Sequence, residues 1–187
     1  SIRVSRLGFM PKDTRTLLAD LTLPDTWRSM IQKFPAEMLV YLHFQNGRLV
    51  YLSGRSIEGK RHYNPPRDLI GERLPFYNHC YSADASQVVL VEGQADAVTF
   101  GEWDIPAIAI AGMVVSDDLL DVLKSHRRVF IALDNVPETI EQTRTIAQAL
   151  GSNAYLPSFP KDIKDANEWL VRFKANPSHA TNFLNEA

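Results

Sequence analysis

From Gln87 to the end of the chain, short apolar runs alternate with longer segments of helical character, and this alternation restricts the fold more than any other feature. The apolar runs predict strands at about 88–92, 106–110, 128–133 and 153–156. The segments between and after them predict helices at about 94–103, 116–125, 138–150, 166–174 and 178–185. Strands that alternate with helices of this length form a parallel sheet flanked by helices. We therefore expect an α/β domain over residues 87–187.

The first 86 residues have a different pattern and predict a smaller α+β lobe. Two β-rich runs, at about 38–44 and 48–53, flank Asn46-Gly47, which is the strongest short signal for a β-hairpin. Capping residues and prolines predict two short helices before the hairpin, over Asp13–Leu21 and about Asp25–Phe34. We therefore place the boundary between the lobe and the α/β domain after residue 86.

A loop-rich basic stretch follows the hairpin, over residues 54–79. Five basic side chains outnumber three acidic ones there, and aromatic side chains are interleaved with them; the basic residues are Arg55, Lys60, Arg61, Arg67 and Arg73. Such a stretch can follow a phosphate backbone and stack bases. A solvated connecting segment explains the same composition equally well, so both interpretations stay open.

Composition limits the classes of protein to which the chain can belong. The net charge is −2, so any nucleic-acid surface must be local, and one cysteine excludes an internal disulfide and a thiol-rich metal site. The chain contains neither an apolar run of membrane-spanning length nor a signal-peptide pattern. We expect a cytoplasmic protein without a membrane partner and, because the chain starts at Ser1, a longer parent protein.

Four carboxylates are the candidate functional side chains: Glu92, Asp96, Asp134 and Asp165. Glu92 ends the apolar run Val88–Val91, and Asp134 ends a second run in the same way. If those strands are neighbours in a parallel sheet, both carboxylates face one crevice at its edge. Carboxylates gathered in this way need a cation, and oxygen-only ligands suit Mg²⁺. The pattern therefore favours metal-assisted phosphoryl or nucleotidyl transfer.

Three of these carboxylates also have a structural interpretation. Asp96 lies in the first turn of a predicted helix, where the helix dipole favours a negative charge. Asp134 or Asn135 could cap a helix that starts at Pro137. Asp165, with an acidic residue three positions later, fits a capping box in which Asp replaces Ser. Only Glu92, at a strand end before Gly93, has no capping role.

The motifs resemble those of the Toprim domain in the catalytic core of DnaG-type primases, most closely the cores of phage or plasmid primase–helicase proteins. The segment VVLVEGQADAV resembles the first Toprim motif, RVFIALDN the strand that carries the second, and LPSFPKDIKDANEWL the closing segment of primase-type members. This likeness covers roughly residues 87–173. Upstream, the hairpin, Gly54-Arg55 and the basic stretch ending in Tyr63-Asn64-Pro65 resemble the first half of such a core.

The resemblance implies specific roles. Glu92 would be the general acid/base in nucleotide joining or help to hold metal, and Asp96, Asp134 and Asp165 would lie at the metals, which would be Mg²⁺ or Mn²⁺. Template and nucleotide contacts would come from the basic motif: Arg55, Lys60, Arg61, Asn64 and Arg67. The implied partners are a single-stranded DNA template, ribonucleoside triphosphates and a helicase domain or protein, in a bacterial or phage-infected cell.

One position departs from the family pattern. The second aspartate of its Asp-x-Asp motif falls on Val136, which has no ligand atom, and Asn135 or Glu138 would have to replace it. A primase core therefore competes with a second interpretation, a weakly active or inactive Toprim module that binds single-stranded DNA beside a helicase. A Toprim nuclease or topoisomerase-like enzyme is a third, which the basic motif and the absence of a convincing catalytic tyrosine context disfavour.

Overall fold

The computed structural model describes residues 7–10, 25–45, 48–59, 61–65, 76–77, 85–110 and 115–187. Four predicted features lie outside these ranges: the helix over Asp13–Leu21, the Asn46-Gly47 turn, Lys60 and Arg67. The chain forms two compact units, Ser1–Pro75 and Phe76–Ala187. Phe76 packs in the core of the second unit, so the division between the two units lies before residue 86. The domain boundary after residue 86 stays a prediction.

The first unit contains an antiparallel sheet and a helix. The helix is α1 (Asp25–Gln32), and the strands, in sheet order, are β1 (Leu7–Met10), β2 (Met38–Gln45), β3 (Arg48–Ser56) and β4 (His62–Tyr63). Strands β2 and β3 pair antiparallel, as the hairpin signal predicted. Gly54 permits close packing here, because a Cβ atom on it would lie 2.6 Å from Cζ of Phe34.

A four-stranded parallel sheet forms the centre of the second unit. Its strands, in sheet order, are β6 (Ala107–Ala109), β5 (Gln87–Val91), β7 (Arg128–Ile131) and β8 (Ala154–Tyr155). The described helices are α2 (Gln94–Glu102), α3 (Asp117–Lys124), α4 (Ile140–Leu150), α5 (Ala166–Phe173) and α6 (Pro177–Asn185). Short 3₁₀ turns over Pro137–Thr139 and Gly151–Asn153 precede and follow α4. The predicted α/β class, with a parallel sheet and a separate hairpin sheet, is therefore confirmed.

The apolar runs form strands because this sheet is covered on both faces. Val88, Val89, Leu90 and Val91 are each at most 1% exposed. A strand that is buried on both faces reads as a continuous apolar run rather than as an alternating one. The charged residue that ends such a run therefore marks the point at which the chain leaves the core.

Aromatic packing fixes helix α2 against α5 and α6. Rings of Trp103 and Trp169 contact edge to face with centroids 5.9 Å apart, and the Phe159 and Phe183 rings stack at 4.8 Å. Phe183 also lies 5.5 Å from Trp169. Aromatic pairs of this kind contribute about 0.5–1.5 kcal/mol each beyond the area that they bury. The cluster joins the C-terminal end of α2 to α5 and α6, and the first turn of α2 carries the candidate site residue Asp96.

Among the described residues, the search for a helix that is both long enough and apolar enough to cross a bilayer finds none.

Candidate active site

Glu92 and Asp134 follow neighbouring parallel strands and leave the sheet at the same edge. In the register of β5 and β7, Leu90 pairs with Ile131, and the backbone N–H of Ala132 donates to the carbonyl of Leu90 at 2.8 Å. The carboxyl ends of parallel strands are where ligands bind in open α/β sheets. The metal-site prediction required the strands before Glu92 and Asp134 to be neighbours, and β5 and β7 meet this requirement.

The carboxyl group of Glu92 is half-buried and surrounded by charge. Burial raises its pKa, the negative charge of Asp134 raises the pKa further, and the ammonium group of Lys164 lowers it; Asp165 adds a smaller upward effect. The net direction is upward from the ordinary value for glutamate. A carboxyl group whose pKa lies above its ordinary value accepts a proton more readily, which suits general acid/base chemistry.

Asp96 is the most deeply buried of the four carboxylates, at 7% exposed. Its Oδ1 accepts the backbone N–H of Asn167, in the first turn of α5, at 2.9 Å, and the Asn167 side chain donates to Oγ1 of Thr99 at 3.4 Å. A Cβ atom on Gly93 would lie 2.8 Å from Oδ2 of Asp96, so this glycine leaves room for the carboxylate. The helix dipole thus favours Asp96, although the contact is with α5 as well as with its own helix.

Burial raises the pKa of Asp96 to about 7 from 3.8, and the nearby charge of Asp165 adds to the effect. The hydrogen bond from Asn167 opposes it. Asp96 keeps its proton to near-neutral pH chiefly because it is buried, and the charge of Asp165 is the second cause. A bound cation would reverse that preference by favouring the charged form.

Replacing Asp96 with Asn is expected to alter how stability depends on pH. In the metal-free protein, unfolded Asp96 loses its proton near pH 4 and folded Asp96 near pH 7, so its contribution to stability falls between about pH 4 and 7 and is flat above. Asp96→Asn removes this decline, worth a few kcal/mol at about 1.4 kcal/mol for each unit of pKa shift. Urea denaturation in chelator across that window measures the difference.

The exposed Asp121→Asn on α3 is the matched control for this measurement. Parallel stability curves for the wild type and Asp96→Asn across the whole window would contradict a raised pKa for the folded Asp96. Added Mg²⁺ is expected to reduce the difference between the two proteins, because a cation at the carboxylates favours their charged form.

Asp134 is held by its backbone and paired through its side chain. Its carbonyl accepts the Thr139 hydroxyl at 2.5 Å and the backbone N–H of Val136 at 2.9 Å. Its Oδ2 pairs with the ammonium group of Lys164, which lies 3.6 Å from Oδ2 of Asp165. The Asp134 side chain does not cap the 3₁₀ turn that begins at Pro137, because Val136 is the cap residue and no side chain bonds there.

Asn135 joins the Asp134 loop to the chain segment before α5. Its backbone N–H donates to the carbonyl of Lys164 at 2.6 Å, and its side-chain amide donates to the carbonyl of Ile163 at 3.1 Å. A capping role for Asn135 is therefore wrong, because its amide group bonds to a distant segment. This connection holds the loop that carries Asp134 beside Lys164 and Asp165.

Asp165 caps helix α5, so the capping role considered for it in the sequence is correct. Its Oδ1 accepts the backbone N–H of Glu168 at 2.7 Å, while Oε2 of Glu168 accepts the backbone N–H of Lys164 at 2.8 Å. The second oxygen of Asp165 faces the Lys164 ammonium group. One carboxylate therefore both caps the helix and adds negative charge to the cluster.

The donor set fits a single oxygen-seeking divalent cation better than it fits a preassembled cage. Within the described residues, no three side chains of His, Cys, Asp and Glu lie close enough together to hold a metal ion. Mg²⁺ usually takes only one or two carboxylates and completes its shell with water and substrate phosphates. Glu92 and Asp134 meet that need, because they follow adjacent parallel strands at one edge of the sheet.

Val136 occupies an apolar setting. It is half-buried and lines a cavity of about 790 Å³, whose walls include Leu133, Ile140, Leu156 and Phe159. A valine therefore fits this position by packing. The Asn135 amide N–H donates to the Ile163 carbonyl, so Oδ1 is the ligand atom that Asn135 could offer, and Glu138 is exposed on the 3₁₀ turn.

The described candidates for nucleic-acid contact lie on the first unit. Arg55 is half-buried on β3 opposite Leu39, whereas Arg61 and Asn64 are exposed. The backbone of Arg61 is fixed, because its N–H donates to Oγ of Ser56 at 3.1 Å and its carbonyl accepts the Ser56 N–H at 2.9 Å. The Arg61 side chain is therefore presented to solvent from a structured position.

Sequence reasoning missed the contributions of Lys164 and Gly93. Lys164 lies in the closing segment LPSFPKDIKDANEWL and is the cation that pairs with Asp134. Gly93 was noted only as the residue after Glu92, yet a side chain there would collide with Asp96. The available sequence signals were the adjacent residues Lys164 and Asp165 and the adjacent residues Glu92 and Gly93.

Comparisons with family models and with curated proteins find no match. The solved structures that match include the zinc-binding and RNA polymerase domains of the Aquifex aeolicus primase, at 16% identity and TM-score 0.73 over 96% of this chain and 50% of that one. The DnaG primase catalytic domain bound to single-stranded DNA matches at 16% identity and TM-score 0.72, over 97% and 65% of the two chains.

The primase fragment of the bacteriophage T7 primase–helicase matches at 15% identity and TM-score 0.57, over 97% of this chain and 75% of that one. The chain thus spans about half to two thirds of the first two matched structures. Because the sequence identity is this low, the matches show only that the fold is shared. The chain therefore has the fold of DnaG-type primase catalytic cores and resembles the primase part of a phage primase–helicase.

Proposed function

We propose that this chain is the catalytic core of a DNA primase, which joins ribonucleotides on a single-stranded DNA template in a reaction that depends on Mg²⁺. The observation that carries the proposal is the position of Glu92 and Asp134 at the ends of adjacent parallel strands within a primase-core fold. One matched structure is a primase domain bound to single-stranded DNA, which supports the choice of template. The T7 match supports a helicase as a further partner.

Glu92 is the proposed general base. It would take the proton from the 3′-hydroxyl group of the growing primer, and its position at the end of β5, beside Asp134, supports this role. Asp134 and Glu92 would hold Mg²⁺, which when bound supplies charge stabilisation to the triphosphate. Asp96 and Asp165 complete the negative cluster, and their contacts with the start of α5 fix its geometry.

We assign template binding to the basic motif of the first unit, and substitution of Arg61 tests this assignment most directly. Arg61→Ala is expected to weaken binding of single-stranded DNA several-fold and to reduce the slope of log affinity against log salt by about 0.7, because one phosphate contact is lost. Fluorescence anisotropy with a labelled oligonucleotide across a salt series measures both quantities.

Lys33→Ala is the matched control, because Lys33 is an exposed cation of the same unit outside the basic motif. An Arg61→Ala protein with the wild-type salt slope would show that this side chain makes no phosphate contact. Arg55→Ala, from a half-buried position, is less informative because it also changes packing.

The test of the proposed function is a priming assay with single-stranded DNA, the four ribonucleoside triphosphates and Mg²⁺. Labelled oligoribonucleotides that require template and Mg²⁺ are the expected product. Mn²⁺ is expected to replace Mg²⁺, since both prefer oxygen ligands. No product from a folded protein that still binds DNA would contradict catalysis.

A second candidate function rests on Val136. A Toprim module that lacks this acidic ligand and lines an apolar cavity with valine would bind single-stranded DNA beside a helicase without joining nucleotides. The two candidates differ in one measurement, because only the first predicts template-dependent product. DNA binding with no product, in a chain that also carries its flanking domains, would favour the second.

A further inference from the structure

Lys164 is anchored on both sides to the segments that carry the candidate metal ligands. Its backbone N–H donates to Oε2 of Glu168 at 2.8 Å, and its carbonyl accepts the backbone N–H of Asn135 at 2.6 Å. These bonds fix the base of the side chain between the Asp134 loop and helix α5. The ammonium group therefore reaches the carboxylates from a backbone position that hydrogen bonds hold in place.

The ammonium group occupies the place where a cation is needed. It pairs with Oδ2 of Asp134 and lies 3.6 Å from Oδ2 of Asp165. Glu92 lies close enough for its charge to act on Lys164 as well. One positive side chain thus contacts or faces three of the four carboxylates in the cluster.

Val136 matters for this arrangement because it supplies no ligand atom beside Asp134. With valine at this position, Asp134 is the only carboxylate contributed by the three residues 134–136, and its Oδ2 is already paired. A divalent ion that uses this oxygen must displace the ammonium group. The Lys164 side chain is 52% exposed whereas that of Asp134 is 13% exposed, so the ammonium group can move into solvent when an ion takes its place at the carboxylate.

We propose that Lys164 is a tethered cation that competes with one divalent ion for Asp134. This inference rests on the proposed function only for the class of ion. In the ion-free protein Lys164 offsets the repulsion among the carboxylates. When an ion binds at Asp134, the ammonium group leaves that oxygen while its backbone stays fixed.

The test is a Mn²⁺ titration of the full chain without nucleotide or DNA, in which the electron paramagnetic resonance signal of free Mn²⁺ gives affinity and stoichiometry. Wild type is expected to bind one ion at the cluster. Lys164→Met is expected to bind it about 3- to 10-fold more tightly, because the competing charge is gone. Lys164→Arg, which keeps the charge, is expected to stay near the wild type.

Lys161→Met is the matched control, since Lys161 is an exposed lysine three positions away and is expected to leave the Mn²⁺ affinity unchanged. A double-mutant cycle separates contact from general charge: in the Asp134→Asn background, Lys164→Met should change the affinity less than it does in the wild type. Circular dichroism confirms that each variant is folded.

A Lys164→Met affinity equal to or weaker than the wild-type affinity would overturn the proposal. A Lys161→Met effect as large as that of Lys164→Met would also overturn it, since the effect would then be a general one of charge. Because the titration contains no nucleotide, its result is separable from priming. A chain that makes no primer but shows this competition refutes the proposed function alone, and the converse result refutes only the role of Lys164.

Discussion

Glu92→Gln is expected to lower the rate of primer synthesis by about 100- to 10,000-fold, which is the range that loss of a general acid/base produces. Glutamine keeps the size and the polarity of the side chain but cannot take a proton. Its effect should therefore fall on the rate of joining, with affinity for single-stranded DNA unchanged. Quantifying labelled primers under single-turnover conditions, beside an anisotropy measurement of DNA binding, checks both parts.

Glu102→Gln supplies the control, because Glu102 is an exposed glutamate at the end of α2. The pH profile adds a second readout. Glu92→Gln should lose the rising limb of the wild-type pH–rate profile, because that limb reports the ionisation of the general base. Primer synthesis by Glu92→Gln at the wild-type rate would remove Glu92 from the chemistry.

The positions of Glu92 and Asp134 could be predicted from sequence because they depend on one local rule. A continuous apolar run can only be a strand buried on both faces, and a charge that ends it must lie at the sheet edge. That strands β5 and β7 are neighbours was a condition of the prediction, because β6 lies between them in the chain, and the sheet order meets this condition. The local rule and this sheet order together bring two carboxylates to one edge.

The roles of Asp96 and Asn135 could not be predicted in this way, because their partners are distant in the chain. Asp96 bonds Asn167 across 71 positions, and the Asn135 amide group bonds the Ile163 carbonyl across 28. Local rules offered a helix dipole for the first and a cap for the second. The cap was wrong because the 3₁₀ turn starts without one, which leaves the amide group of Asn135 available to a tertiary contact.

Asp165 shows why a structural and a functional interpretation need not compete. Capping uses only Oδ1, so Oδ2 remains directed towards Lys164. A carboxylate has two oxygens and about four acceptor sites, so one side chain can end a helix and add charge to a site. Sequence patterns that fit a capping box therefore do not argue against a metal-site role.

Asp134→Asn is expected to weaken Mn²⁺ binding and to reduce primer synthesis, each by at least about 100-fold. Even groups that only support a metal ligand cost about 10- to 100-fold when they are removed, and Asp134 is proposed as a direct ligand. Asparagine keeps one oxygen but no charge, so it can neither attract the ion nor pair with the Lys164 ammonium group. Resonance titration and the priming assay, performed on the same preparation, measure the two losses.

The fold should survive this change, because the backbone contacts of Asp134 do not involve its carboxylate. Its carbonyl still accepts the Thr139 hydroxyl, so the protein is expected to stay folded in chelator. Asp121→Asn is the matched control. Asp134→Asn with wild-type Mn²⁺ affinity would move the ion away from the end of β7, whereas lost binding with normal stability can only come from a missing ligand.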